Sequence, residues 1–129
     1  MSNPESELAK APYVSLATFR RSGEAVRTPV WAAPSAGGLY VFSAGNAGKV
    51  KRLRNSSQAA LAICDVRGKV LGDWHPANAR LLTEAVEIEQ ALAALRKKYG
   101  VQMWLADVGS KLTGKFDKRA YIRIELTGD

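Results

Sequence analysis

The stretch that most limits the fold runs from Thr28 to Gly48, where no charged residue occurs. A charge-free run of this length reaches the ~20 residues that a membrane-spanning helix needs. It also carries Pro29, Pro34, Gly37, Gly38, Gly45 and Gly48. Prolines and glycines at that density interrupt a helix, so the run reads as strand, turn and strand. The chain is therefore expected to be soluble, with no membrane partner, and to be built on hairpins. The N-terminal MSNPESELAK has polar and acidic residues where a signal peptide needs a basic start and an apolar core, which favours a cytoplasmic location.

The flanking segments extend this pattern. Glu5 to Lys10 predicts a short helical lead. YVSLATFR (Tyr13 to Arg20) alternates, with Val14 and Leu16 on one face and Tyr13, Ala17 and Phe19 on the other. Arg21 to Gly23 is a tight turn, and EAVRTPVWAA (Glu24 to Ala33) returns as a second strand, making a hairpin. Pro29 lacks an N–H, which places that strand at an edge or a bulge and leaves the Thr28 to Trp31 backbone free to face a ligand. LYVFS (Leu39 to Ser43) is a third strand. A basic helix from about Ala47 to Asn55 follows, with Val50 and Leu53 turned inward, Lys49 and Arg52 on one side, Lys51 turned away and Arg54 flanking Val50.

AALAICDV (Ala59 to Val66) and KVLGDWHPANARLL (Lys69 to Leu82) predict two further strands around an Arg67-Gly68 turn. Thr83 is placed to cap a helix whose apolar stripe is Ile88, Leu92, Leu95 and Tyr99, with Gly100 closing it. A second helical segment covers Val101 to Val108, and RAYIRIEL (Arg119 to Leu126) alternates as the last strand. The expected fold is mainly β, a single domain over residues 1–129. Six antiparallel strands close into a small Greek-key barrel, with a short helix after the third strand and a helical pair before the last.

Charge and chemistry-bearing residues narrow the function. Lys plus Arg number 19 against 12 Asp plus Glu, a net charge of +7, so an anionic partner is expected. Cys64 and His75 are the only residues of their kinds, which excludes an internal disulfide, a cysteine cluster or a histidine pair for metal. No metal site is expected. No nucleophile triad, carboxylate pair, P-loop or dinucleotide fingerprint occurs, so no catalytic residue is assigned and any enzyme chemistry is expected from a bound cofactor.

SAGNAGKVKRLRNS (Ser43 to Ser56) is the candidate anion site. Small residues before a helix N-terminus let an anion approach free N–H groups, Gly48 among them. Ser43 adds a hydroxyl, and Lys49 and Arg52 add charge-assisted hydrogen bonds. The plain alternative is a solvated basic helix. Thr28, Pro29, Val30 and Trp31 could line a flat ring, and Trp74 and His75 could stack on a ligand. Taken singly, these residues are favoured in plainer roles: an edge strand with an ordinary exposed aromatic, a core tryptophan and a surface histidine. A small basic barrel binding single-stranded nucleic acid is the competing class. Against it, Tyr40 and Phe42 precede the helix in an apolar run, and the cations are clustered rather than spread along strands, so no nucleic acid partner is expected.

The segments YVSLATFRRSGEAVRTPVWAA, GLYVFSAGNAGKVKRLRNS, ALAICDVRGKV and KYGVQMWLADVGSKLTGKFDKRAYIRIEL together resemble the pyridoxamine 5′-phosphate oxidase-like split β-barrel flavoproteins. Within these they are most similar to the actinobacterial deazaflavin (coenzyme F420)-dependent enzymes. The resemblance covers about Tyr13 to Leu126 and implies a homodimer with the cofactor at the subunit interface. It implies Ser43, Lys49 and Arg52 at the phosphate, with Arg54 beside them, and Thr28, Pro29, Val30 and Trp31 along the ring system. The implied activity is hydride transfer between reduced F420 and an electron-poor small-molecule substrate, with an FMN-binding reductase or flavin-binding protein as the alternative. The positive charge beyond one phosphate, including Lys51, Arg54, Lys97, Lys98 and Lys111, fits the oligoglutamate-tailed deazaflavin better than FMN. Vitamin B6 oxidation is not expected, because the resemblance implies for it a long C-terminal segment that completes the substrate pocket and that these 129 residues do not show.

Overall fold

The computed structural model describes residues 3–127. In chain order it contains α1 (Pro4–Lys10), β1 (Tyr13–Phe19), β2 (Ala25–Val30), β3 (Ala32–Ser35), β4 (Gly38–Ala44) and α2 (Gly48–Asn55). Then come β5 (Gln58–Cys64), β6 (His75–Leu81), α3 (Ala85–Tyr99), α4 (Val101–Leu112), a 3-10 turn (Phe116–Lys118) and β7 (Arg119–Leu126). The strands make one seven-stranded antiparallel sheet in the order β2-β1-β5-β6-β7-β4-β3.

Seven strands replace the six expected, because the segment predicted as one strand over Glu24 to Ala33 divides at Trp31. The division determines the architecture. β2 and β3 are separated by that one residue, yet they occupy opposite edges of the sheet. Consecutive Cα atoms are only ~3.8 Å apart, so the sheet has to curl until its two edges approach. The result is a split β-barrel, mainly β with several helices, open along the seam between the β2 and β3–β4 edges. Pro29 sits on the edge strand β2 opposite Ser15, where its missing N–H breaks no ladder.

Alternation along the strands divides the apolar residues into two cores. Val14, Leu16, Val30, Leu39, Val41, Leu61, Ile122 and Ile124 fill the barrel interior, joined by Leu8 from α1 and Leu53 from α2. The opposite faces of β3, β4 and β7 present Ala33, Tyr40 and Tyr121 to Leu95, Tyr99 and Met103 of the helical pair. Gly100, at φ 53°, makes the sharp reversal between α3 and α4 that lets both helices lie on this outer face.

Three further expectations are corrected. The return strand predicted from Lys69 begins only at His75, because Asp65 Oδ1 accepts from the Arg67 and Lys69 N–H groups at 2.9 Å and holds a tight loop. Glu84 rather than Thr83 precedes α3, without a side-chain cap bond. The second helix runs on to Leu112.

Candidate functional site

The seam of the barrel is a groove of about 340 Å³. Pro29, Val30 and Trp31 supply one wall and Phe42, Ser43 and Ala44 of β4 the other, with Ala47 and Lys49 at the start of α2. The fold therefore brings Pro29, Val30, Trp31, Ser43 and Lys49 together. Tyr13 and Ala106 complete the lining; the first follows from strand alternation, whereas nothing in the sequence places an α4 alanine beside β2.

Trp31 is held from behind. Its indole stacks on the Tyr99 ring with centroids 4.8 Å apart and planes 15° from parallel, and meets Phe42 edge-on at 6.0 Å. Tyr99 is itself fixed: its hydroxyl accepts from the Ala32 N–H at 3.0 Å and donates to the Pro12 carbonyl at 2.9 Å. Burial pushes the Tyr99 pKa up to about 12, so it stays a neutral donor at physiological pH. Lys98 Nζ donates to the Ala11 carbonyl at 2.6 Å and to the Ala32 carbonyl, and burial pushes its pKa down to about 8. These bonds pin the one-residue link between the two sheet edges.

The start of α2 is built to receive an anion. Ala47 at the cap offers no side-chain acceptor and no acidic residue occupies the first turn; the Val50 N–H turns back to the Ala47 carbonyl at 3.1 Å, which leaves the Gly48 and Lys49 N–H groups for an anion. Lys49 is half-buried beside them, and burial, then the neighbouring Arg52 charge, lowers its pKa from the ordinary lysine value. Ser43 is buried and its hydroxyl donates to the Ala44 carbonyl at 3.1 Å.

The remaining predicted residues are placed elsewhere. Arg52 lies across Gly48, where a Cβ would stand 2.8 Å from its Nη1, and its Nε donates to Thr18 Oγ1 at 2.6 Å. It acts on the groove through charge rather than as part of its lining. Thr28 faces inward opposite Leu16, and its hydroxyl is buried with no hydrogen-bond partner among the described residues. Arg54 is exposed on the other flank of α2, in a separate cavity. Trp74 is half-buried under the Arg27 guanidinium, 5.0 Å from its ring centroid, and His75 opens β6. Cys64 is buried in the strand core, where burial, then Asp65, raises its thiol pKa.

Among the described residues no cluster of three or more His, Cys, Asp or Glu is placed to hold a metal ion, and no helix is long and apolar enough to cross a membrane.

A family model described as pyridoxamine 5′-phosphate oxidase matches residues 4–127. The fold is similar to that of Campylobacter jejuni ChuZ (TM-score 0.68, 17% identity, 94% of this chain and 50% of that one), so this chain spans half of that protein. It is also similar to HutZ, the heme storage protein of Vibrio cholerae (TM-score 0.71, 13% identity, 96% and 88% covered). A NimC/NimA family protein of Clostridium acetobutylicum is a third (TM-score 0.59, 16% identity, 95% and 76% covered). Comparison with curated proteins gave no match.

Proposed function

The chain belongs to the pyridoxamine 5′-phosphate oxidase family, and from that premise we propose that it is an F420-dependent oxidoreductase. The family commonly binds FMN or flavin-like cofactors. The observation that carries the reading is the seam groove, which unites a ring-sized wall of Pro29, Val30 and Trp31 with an uncapped helix start and a half-buried lysine. An aromatic and apolar wall suits a flat ring system, and the α2 start suits a phosphate a short distance from it.

When bound, the reduced deazaflavin supplies the hydride that passes to an electron-poor organic substrate. This chain's residues bind and orient. Lys49 and the first N–H groups of α2 hold the phosphate, with Arg52 supporting from behind Gly48. The Trp31–Tyr99 stack keeps the ring wall rigid, and Phe42 braces the indole edge-on. The net charge of +7 supports the deazaflavin over FMN, because its tail is a chain of carboxylates.

A second copy of the chain completes the site in this reading. The groove is open to solvent along the seam. α4 exposes Val101, Trp104, Leu105 and Leu112, with Trp104 at 62% and Leu112 at 83%, and the same helix lends Ala106 to the groove. A partner docked on that apolar face covers the groove and excludes water from the ring.

Fluorescence titration of the purified protein with F420 and with FMN, at low and moderate salt, tests the assignment. Saturable F420 binding with weaker FMN binding is the expected result. The reverse preference converts the protein to an FMN-binding reductase with the same site. Absence of both bindings removes the flavin reading and returns α2 to a basic surface helix.

A further inference from the structure

A second concave site lies on the opposite flank of α2, and none of its cations takes part in the groove. It is a cavity of about 940 Å³. Lys51 and Arg54 reach it from α2, Lys115 and Lys118 from the 113–118 turn, and Arg119 from the start of β7. Among its lining residues there is no carboxylate; the remaining polar side chains are neutral, Thr83 and Ser110 among them. Lys51, Arg54, Lys115 and Lys118 are exposed, and among the described residues none of the four enters an ion pair.

The back wall is rigid. The Arg119 guanidinium is nearly buried, donates to Asp107 at 2.7 Å and to the Ser110 hydroxyl at 2.9 Å, and lies over the Phe42 and Phe116 rings. Asp107 also accepts from Arg96 at 2.9 Å, so its one negative charge is shared between two guanidiniums and leaves net positive charge behind the wall. The front is fixed by close backbone packing: a Cβ at Gly45 would stand 2.0 Å from the Lys118 carbonyl oxygen, so the β4–α2 loop and the 3-10 turn are in direct contact. Asp117 is the acidic residue adjacent to Lys118 in the chain, and it does not line the cavity.

We infer that this cavity is a binding site for a small, multiply charged anion of the phosphate class. Several like charges converging on one concavity repel one another unless an anion lies between them, and a concave wall focuses their field. Cations on two separate segments, with hydroxyl donors behind them, match an anion with at least two charges better than a monovalent one. The inference does not depend on the flavin reading, because the cavity shares only Phe42 and Ala44 with the groove, and Lys49, Pro29, Val30 and Trp31 are outside it.

Calorimetric titration with pyrophosphate at fixed ionic strength tests it. Wild-type protein is expected to bind saturably. The double variants Lys51→Gln/Arg54→Gln and Lys115→Gln/Lys118→Gln should each weaken binding at this site by about tenfold or more, while Lys97→Gln, an exposed lysine outside both concavities, stays within about twofold. All four cavity residues are exposed, so both double variants should keep the wild-type denaturation midpoint, which separates lost binding from lost folding. With the groove filled by saturating FMN, one saturable pyrophosphate site should remain, and the double variants should lose it. The inference is overturned by absence of saturable binding, by unchanged affinity in the folded double variants, or by loss of all pyrophosphate binding when FMN is saturating. Oligonucleotide binding without pyrophosphate binding would overturn it in favour of a nucleic-acid surface.

Discussion

The two flanks of α2 share eight residues of backbone, and the sites on them meet at Phe42 and Ala44 of β4, but they differ in charge and burial. On the groove side, Lys49 is half-buried between aromatic and apolar walls, and its ammonium is partly desolvated before any ligand arrives. On the cavity side, Lys51 and Arg54 are exposed and surrounded by further cations, with Arg119 clamped behind them. The first flank offers one cation and a surface for a ring; the second is the larger cavity and sets five cations around a wall of Phe42, Leu81, Leu82 and Tyr121. A helix rich in Lys and Arg is thus two sites of different selectivity, distinguished by which strand or turn each flank meets.

The largest expected effect comes from removing the carboxylate that supports the cavity flank. Asp107→Ala leaves the nearly buried Arg119 guanidinium without its counterion and should cost about 3–5 kcal/mol in urea denaturation, because breaking a buried pair from one side strands the other charge. In protein that remains folded, flavin affinity should be nearly unchanged. Loss of both together would mean that the two flanks are one site.

Lys49→Gln is the reciprocal change. It should weaken FMN or F420 binding by about 1.5–3 kcal/mol, the worth of a hydrogen bond to a charged group, with little change in the denaturation midpoint. Unaltered affinity would remove the groove as the phosphate site. Trp104→Glu with Leu105→Glu should shift the protein toward monomer in sedimentation and weaken flavin binding while leaving pyrophosphate binding intact. A monomeric wild type would break the two-copy arrangement.

Smaller effects depend on pH. Lys49 must be protonated to attract phosphate, and its pKa lies below the ordinary lysine value of 10.5. Flavin affinity should therefore fall with rising pH earlier than an exposed lysine would allow, and Lys49→Arg should flatten that fall. Lys98 gives up its proton at about 8 in the folded chain but at 10.5 in the unfolded one. Between those values the unfolded state binds more protons, so this residue makes stability rise with pH, and Lys98→Met should remove that slope.

Much of this was legible in the chain. The β1–β2 hairpin, the edge position of Pro29, the inward anchors Val50 and Leu53 and the closure of α3 at Gly100 all follow from local patterns that tertiary contacts reinforce. The split at Trp31 was not legible. Glu24 to Ala33 has continuous strand character, and what divides it is the need to place β2 and β3 on opposite edges of one sheet. Grouping Arg52 with Lys49 rested on helical spacing, which cannot anticipate that a hydroxyl from β1 captures the guanidinium. Trp74, adjacent to the only histidine, gave no local sign that Arg27 covers its ring.

By itself the sequence determined the element types, the absence of cysteine and histidine metal chemistry, and the presence of an anion-attracting helix after a strand. Those properties depend on periodicity, turn residues and charge within a few positions of one another. Tertiary structure alone decided that the strand edges meet at Trp31, that Ala106 borders the groove, and that Lys115, Lys118 and Arg119 gather opposite Lys51 and Arg54. These are contacts between segments far apart in the chain, and they are set by how a seven-stranded sheet must curl when one residue joins its edges.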